Sequence, residues 1–345
     1  MKYALRLVMA ASASKFSGDG GKQMKLYVLT TTDPHYNLAV EEYLFRNERE
    51  DVCMLWQNEP TVVIGKNQNA FAEVALDTLQ RDGVHLARRI TGGGAVYHDL
   101  GNVNFSFIST NNAETGLDFA RFTAPILTAL SALGIRAELS GRNDLLLDGQ
   151  KFSGNAQYTA DGRTLHHGTL LFDTDLTALA RYLRPDEEKL KSKGIKSVRS
   201  RVTNLRPHLP ISATTGEFIA LLADALRVAY TPEEPPVPQN AEIDALCARN
   251  ASGEWLFPQR ELVAGYTLHK KVRYPFGTVE ISLSMHNDTV RDVVIRGDFF
   301  GSAPVEELER ALRGKHIAEL ELASLEIGRY VHGMTATELA DLLTP

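Results

Sequence analysis

Cysteine is scarce in this chain: only Cys53 and Cys247 occur among 345 residues. So few thiols supply no disulfide framework, and a chain of this length builds a core of normal size without staples. Long apolar runs are missing too, and none approaches the ~18–20 residues that a membrane span requires. Positive charge does not dominate, since 37 Lys and Arg face 43 Asp and Glu for a net charge of −6. That balance argues against a general nucleic-acid binder, which carries a basic face. No Gly-Lys-Ser/Thr phosphate loop and no complete G-x-G-x-x-G before a helix is found. The hydrophobic (43%) and charged (23%) fractions are those of an ordinary globular protein. The length suggests two domains, or one large and one small. Both cysteines lie in apolar-patterned segments, which reads as buried free thiols in a reducing compartment, with the cytoplasm expected. Residues 1–23 place Lys2 and Arg6 beside a short apolar core that Arg6 interrupts. This segment is expected to be a mobile extension or a mis-assigned start, with a weak export or organelle signal as the alternative, and Met24 opens the folded part.

What the chain does have is a glycine run, Arg88-Arg89-Ile90-Thr91-Gly92-Gly93-Gly94-Ala95-Val96-Tyr97-His98, followed by Asp99, Leu100, Gly101 and Asn102. Consecutive glycines let the backbone take φ > 0 and approach a ligand closely. Successive exposed N–H groups there can form an anion cradle. Two arginines upstream add charge able to fork onto carboxylate or phosphate. Val84, Leu86 and Ala87 before the run, and Val103, Phe105 and Phe107 after it, show strand patterning. Strands therefore mount the loop on both sides, which is where binding residues tend to sit.

Around it the spacing predicts a strand at 25–29 and a helix from the cap Thr32-Asp33-Pro34 to about Arg49. Glu41 and Glu42 are expected among that helix's solvated or end-facing charges. Strands follow at 52–56 and 62–65, with a short helix at 75–82. Phe119, Phe122, Ile126, Leu130 and Leu133 then mark a core helix closed by Gly134. Asp148-Gly149 and Asp161-Gly162 between apolar runs are hairpin turns. Consecutive hairpins make an antiparallel meander, so the class is α+β with helices packed on the sheet. In the first hairpin Asn143, Asp144 and Lys151 lie on adjacent strands. An amide and a carboxylate suit a hard cation, and a lysine suits an anion, although ordinary turn chemistry would also place them there. His166 and His167 are neighbours on a strand and point to opposite faces, so they are expected to be structural rather than to share a metal. Residues 184–206 are basic. Four prolines within 231–238 suggest an extended linker. A smaller α+β unit follows from Trp255, with no chemistry evident in it.

These stretches together resemble the lipoate–protein ligase family, in its long bacterial form with an accessory C-terminal domain. The matching pieces are Asn37-Leu38-Ala39-Val40-Glu41-Glu42, Thr61-Val62-Val63-Ile64-Gly65 and residues 88–102. They continue with Gly141-Arg142-Asn143-Asp144, Lys151-Phe152-Ser153-Gly154-Asn155-Ala156, His166-His167-Gly168-Thr169 and residues 193–205. The order holds from about Met24 to Leu205. The resemblance implies a biotin/lipoyl-ligase-like catalytic domain at 24–238, mainly an antiparallel sheet flanked by helices. A linker helix at 239–254 and an accessory domain at 255–345 would follow.

The chemistry it implies has two steps. ATP, with Mg²⁺, activates lipoate to lipoyl-AMP, and the acyl group passes to a lysine of apo lipoyl domains on E2 subunits or of the H protein. Two anions must meet, so the site has to supply positive charge and alignment. By resemblance Lys151 is the catalytic residue, touching the carboxyl and the α-phosphate through both steps. Arg89, Gly92, Gly93, Gly94, Ala95, Val96 and Tyr97 would hold ATP or lipoyl-AMP. Arg89, His98, Lys151 and Gly154 would hold lipoate. Asn143 and Asp144 would sit near the phosphates and Mg²⁺, with Asp144 as the metal ligand. A monomer is expected, with no nucleic acid and no membrane as partner. Ile90-Thr91 departs from the small pair often seen in the family, which leaves the choice between lipoate and octanoate open. A cysteine-dependent transferase on the same fold would need a thiol near the motifs. A transferase using ready-made lipoyl-AMP shares the same pocket. A biotin ligase would show a Gly-Arg-Gly loop, and a non-catalytic lipoyl-domain binder would have lost Lys151 or the glycines.

Overall fold

The computed structural model describes residues 24–110, 117–141, 143–184, 202–258 and 265–344. The expected N-terminal extension and most of the basic stretch lie outside the described residues. Ten strands build the N-terminal body among these residues: β1 (Met24–Val28), β2 (Asp51–Trp56), β3 (Thr61–Ile64), β4 (His85–Arg88), β5 (Val96–His98), β6 (Asn102–Thr110), β7 (Glu138–Ser140), β8 (Asp144–Leu147), β9 (Gln150–Ala160) and β10 (Arg163–Leu171). Seven form one sheet in the order β1-β2-β6-β10-β9-β8-β7, antiparallel except for the β1–β2 pair. A small second sheet runs β4-β3-β5, with β3 parallel to β4. The hairpin turns form as expected, with Asp148 and Gly149 at φ 50° and 76° and Asp161 and Gly162 at 52° and 69°.

Alternation along β6 sets the layers. Val103, Phe105 and Phe107 enter the main core beneath the helices Phe119–Ala132 and Thr215–Tyr230. Period-2 geometry turns Asn104 and Ser106 to the other face. There Ile108 packs with the helix Pro34–Asn47 and with Val63 and Ala87 of the small sheet. The even positions thus pave a polar floor between the two sheets.

Two expectations need correction. Glu41 and Glu42 are buried, not solvated. Their helix lies under a second helix, Ala241–Ala251, whose Arg249 donates to Glu42 Oε1 at 2.9 Å and Oε2 at 2.5 Å. The proline-rich stretch is no free linker either. Leu26 N–H donates to Glu233 O (2.8 Å) and Glu233 N–H to Met24 O (2.9 Å), so it covers the exposed edge of β1. Proline suits such an edge because it lacks the donor that would recruit a further strand.

The C-terminal unit is an antiparallel meander of β11 (Leu268–Tyr274), β12 (Gly277–His286) and β13 (Thr289–Gly297). Helices Val305–Leu312 and Ala336–Leu343 complete its own core. Trp255 and Leu256 pack on the N-terminal body, against Val62, Ile64 and Leu86 of the small sheet. The unit docks on the glycine loop: Gly93 N–H donates to Phe299 O (3.2 Å) and Gly297 N–H to Asn67 O (3.0 Å). No described helix is long and apolar enough to cross a membrane.

Candidate active site

The glycine run links β4 to β5 and is shaped from within. Gly93 takes φ +91°, and a Cβ there would stand 2.9 Å from an Arg89 nitrogen and 3.0 Å from the Phe300 ring. A Cβ on Gly65 would meet Gly93 O at 2.1 Å. Only hydrogen fits at either place. Arg89 braces the loop by donating to Gly92 O (2.7 Å), Gly94 O (2.8 Å) and Thr91 Oγ1 (2.9 Å). Burial lowers its pKa to about 10, with Glu41 opposing the shift. Arg88 points the other way and donates to Gly65 O, Lys66 O, Gln68 O, Trp255 O and Leu256 O. Trp255 Nε1–H returns a bond to Arg88 O at 2.9 Å. Arg88 is therefore a strut, whereas Arg89 remains at the cavity wall.

The second wall is the β8–β9 hairpin. The pairing slips between Leu145 and Leu146, so β9 carries an extra residue beside Lys151. Such a bulge re-aims a side chain. Lys151 Nζ pairs with Asp144 Oδ1 at 2.7 Å, and both side chains are 38% exposed. Gly154 leaves the ammonium its space, since a Cβ there would lie 3.2 Å from Nζ. Thr203 N–H donates to Lys151 O (2.9 Å), which brings the end of the 193–205 motif against the same lysine.

Between these walls lies a cavity of about 150 Å³. A cavity of that size takes a benzene-sized group. Arg89, Gly93, Gly94, Ala95, Val96, His98, Asn143, Lys151 and Gly154 all line it. Gly92 and Tyr97 do not. Gly92 packs under Phe299 O, and Tyr97 stacks on Tyr182 at 5.7 Å, its hydroxyl pKa pushed up to about 12 by burial. Asp144 reaches the cavity only through its pair with Lys151.

Trp56, Asn104 and Phe300, which lie outside the quoted motifs, complete the walls together with Leu38, Val63, His167 and Thr169 from within them. Strand register gathers them, because Asn104 sits opposite Trp56 on one side and Thr169 on the other. Phe300 comes from the accessory domain and meets the Phe119 ring at 5.8 Å. Two hydrogen-bond chains end on Glu41. Trp56 Nε1–H donates to Ser106 Oγ (3.0 Å), whose hydroxyl donates to Glu41. Arg89 donates to Thr91 Oγ1, which meets His167 Nε2 at 2.9 Å, and His167 Nδ1–H donates to Glu41 at 3.0 Å. His166 points to the opposite face, stacked on Phe122 at 5.4 Å and held neutral by burial. The two histidines are indeed divided between faces.

Among the described residues no group of three or more His, Cys, Asp or Glu could hold a metal ion. Mg²⁺, however, binds through one or two protein oxygens plus phosphate and water. Asp144 fits that role, as does Asn143, whose Nδ2–H donates to Asn155 O (2.7 Å) and leaves Oδ1 as its acceptor. Neither cysteine lines the cavity. Cys53 is buried, which pushes its thiol pKa up, so it offers no thiolate.

Two family models match the chain: the lipoyl protein ligase A/B catalytic domain over residues 33–227, and the bacterial lipoate protein ligase C-terminus over 264–343. The chain is 37% identical to lipoate–protein ligase LplJ of Bacillus subtilis over 322 residues, 90% of this chain and 97% of that protein. It is 35% identical to lipoate–protein ligase 1 of Staphylococcus aureus over 91% of this chain and 97% of that protein. A crystal structure of P. falciparum LipL1 in complex with lipoate superposes with TM-score 0.71 at 27% identity, covering 88% of this chain and 93% of that one. The bipartite lipoate protein ligase of Thermoplasma acidophilum, described with its E2 lipoyl domain, gives TM-score 0.59 at 28% identity over 68% of this chain and 96% of that one. A lipoate–protein ligase A bound with ATP gives TM-score 0.55 at 25% identity over 68% and 98%. With both domain models matched in order and these relatives aligned almost end to end, the chain belongs to the lipoate–protein ligase family.

Proposed function

We propose that this chain activates lipoate with ATP and transfers the lipoyl group to a lysine of an apo lipoyl domain. One observation carries the reading: Lys151, Arg89 and the loop 93–96 converge on one cavity with an apolar lining from Leu38, Trp56 and Val63. A carboxylate attacking the α-phosphate needs its charge screened and its approach fixed. Lys151 at the mouth supplies the charge, and exchanges Asp144 for the substrate anions as it does so. Arg89 fixes the loop carbonyls and so aims the loop N–H groups. Asn143 and Asp144 would hold Mg²⁺, which would supply positive charge against the phosphates. No side-chain nucleophile is required, because the acceptor amine attacks the mixed anhydride. E2 lipoyl domains and the H protein are the acceptors we assign, with the chain acting as a cytoplasmic monomer. Catalysis is assigned to 24–238, and the accessory unit to the segment beyond Leu256.

Pyrophosphate release from ATP and free lipoate, followed by the intact mass of an apo lipoyl domain, tests this. Release with a lipoyl mass gain supports the ligase. Mass gain only from supplied lipoyl-AMP would reduce the protein to a transferase. Binding of the domain without either signal would leave a non-catalytic binder.

A further inference from the structure

Two polar side chains of the cavity wall are incompletely paired. His98 and Asn104 line the cavity, they are only 4% and 1% exposed, and each has a nitrogen without a hydrogen-bond partner, His98 Nε2 and Asn104 Nδ2. A buried donor left unpaired is costly, so a site that keeps one is built for an acceptor.

Neighbours fix which nitrogen of His98 carries the hydrogen. Asn37 Nδ2–H donates to Gln57 O (2.7 Å) and Thr31 O (3.1 Å), which sets that amide's orientation. The same nitrogen lies 3.0 Å from the Asn58 oxygen, so Asn58 turns its Nδ2–H toward His98 Nδ1 at 3.1 Å. Nδ1 is thus the acceptor, and Nε2 carries the only ring N–H. Burial, with Arg89 and His167 nearby, lowers the His98 pKa to about 3, so the ring is neutral at pH 7. Asn104 Oδ1 takes the Asn102 Nδ2–H at 2.9 Å, and the Asn104 Nδ2–H has no partner, like Asn102 Oδ1 beside it. The Trp56 ring stands edge-on to His98 at 6.1 Å, and its N–H is already used by Ser106.

We propose that His98 and Asn104 form a two-donor end wall that selects an acyl tail bearing acceptor atoms, a cyclic disulfide, over a plain hydrocarbon tail of equal length. This rests on the ligase reading above and adds to it the basis of tail choice. Disulfide sulfurs are weak acceptors and sit well against the Trp56 ring. A terminal methyl in their place leaves both donors buried and unsatisfied, which is the kind of mismatch that discriminates strongly.

The experiment measures kcat/KM for lipoate and for octanoate in wild-type protein, Asn104→Leu and His98→Phe, by intact mass of an apo lipoyl domain. Wild type should favour lipoate by roughly tenfold or more. Each substitution should bring the two acids within about threefold, as kcat/KM falls further for lipoate than for octanoate. A cooperative urea melt shows that each variant is folded. For a variant that does not accumulate, Asn104→Val and His98→Leu replace it. Equal use of both acids by wild type, or a preference that survives both substitutions, overturns the end wall and leaves the ligase reading standing. Turnover of neither acid by wild type overturns both.

Discussion

His167 donates its Nδ1–H to the Glu41 carboxylate at 3.0 Å, and both groups are buried. Glu41 also takes the Ser106 hydroxyl, so one carboxylate ends the chains that run from Arg89 and from Trp56. Replacing it by alanine strands two donors in a dry site. Glu41→Ala should lower the unfolding free energy by about 3 kcal/mol. Glu41→Gln keeps the shape and one acceptor oxygen, so it should cost less stability while raising KM for lipoate. Urea melts and steady-state kinetics of both variants check this. Wild-type stability in Glu41→Ala would refute the role.

Lys151 is the one ammonium that the β9 bulge turns to the cavity mouth. Lys151→Ala should lose charge stabilisation in activation and in transfer, by roughly 10²–10³ in rate for each. Pyrophosphate release reports the first step, and transfer from supplied lipoyl-AMP the second. Adenylate formation at the wild-type rate would sink the assignment.

The local signals in the sequence were enough for the turns and caps. Asp148-Gly149 and Asp161-Gly162 need φ > 0, and the side chain of Asp33 caps its helix as its place before Pro34 requires. The glycine run and Lys151 could be found because their residue types are unusual in themselves. Glu41, Trp56 and Asn104 could not. Their roles come from register between β2, β6 and β10, which places Trp56 beside Asn104 and Ser106 beside His167 across long stretches of chain. Glu41 in particular looked like a solvated helix charge because its partners lie 65 and 126 residues away. The edge pairing of Glu233 with β1 is non-local in the same way.

Two buried neutral histidines make the fold sensitive to mild acid. Burial first, with Arg89 and His167 adding for His98, holds the His98 pKa near 3, while burial and His167 lower that of His166. Both take up protons on unfolding near pH 6.5 but not in the native state. Their contribution is therefore complete above about pH 6.5 and is lost as pH falls toward the native values, by about 1.4 kcal/mol per pH unit for each site. Urea midpoints at pH 7.5, 6 and 5 should drop across both steps, more steeply in the second. An unchanged midpoint at pH 5 would show that the two rings are protonated in the native state.

The glycine loop should also reveal what holds the accessory domain. A Cβ at Gly92 would stand 2.2 Å from Phe299 O, whereas one at Gly94 finds only the Asp298 side chain at 3.9 Å. Both positions lie in the same run, yet only the first is pinned by the other domain's backbone. Gly92→Ala should push Phe299 off the loop and break the Gly93 N–H bond to its carbonyl. Hydrogen exchange should then rise in peptides covering 92–94 and 297–301, while the core strands of the large sheet keep their protection. Gly94→Ala should leave both peptides at wild-type exchange. Equal effects of the two substitutions would mean that the loop tolerates no side chain for reasons of its own, and that Phe299 does not pin it.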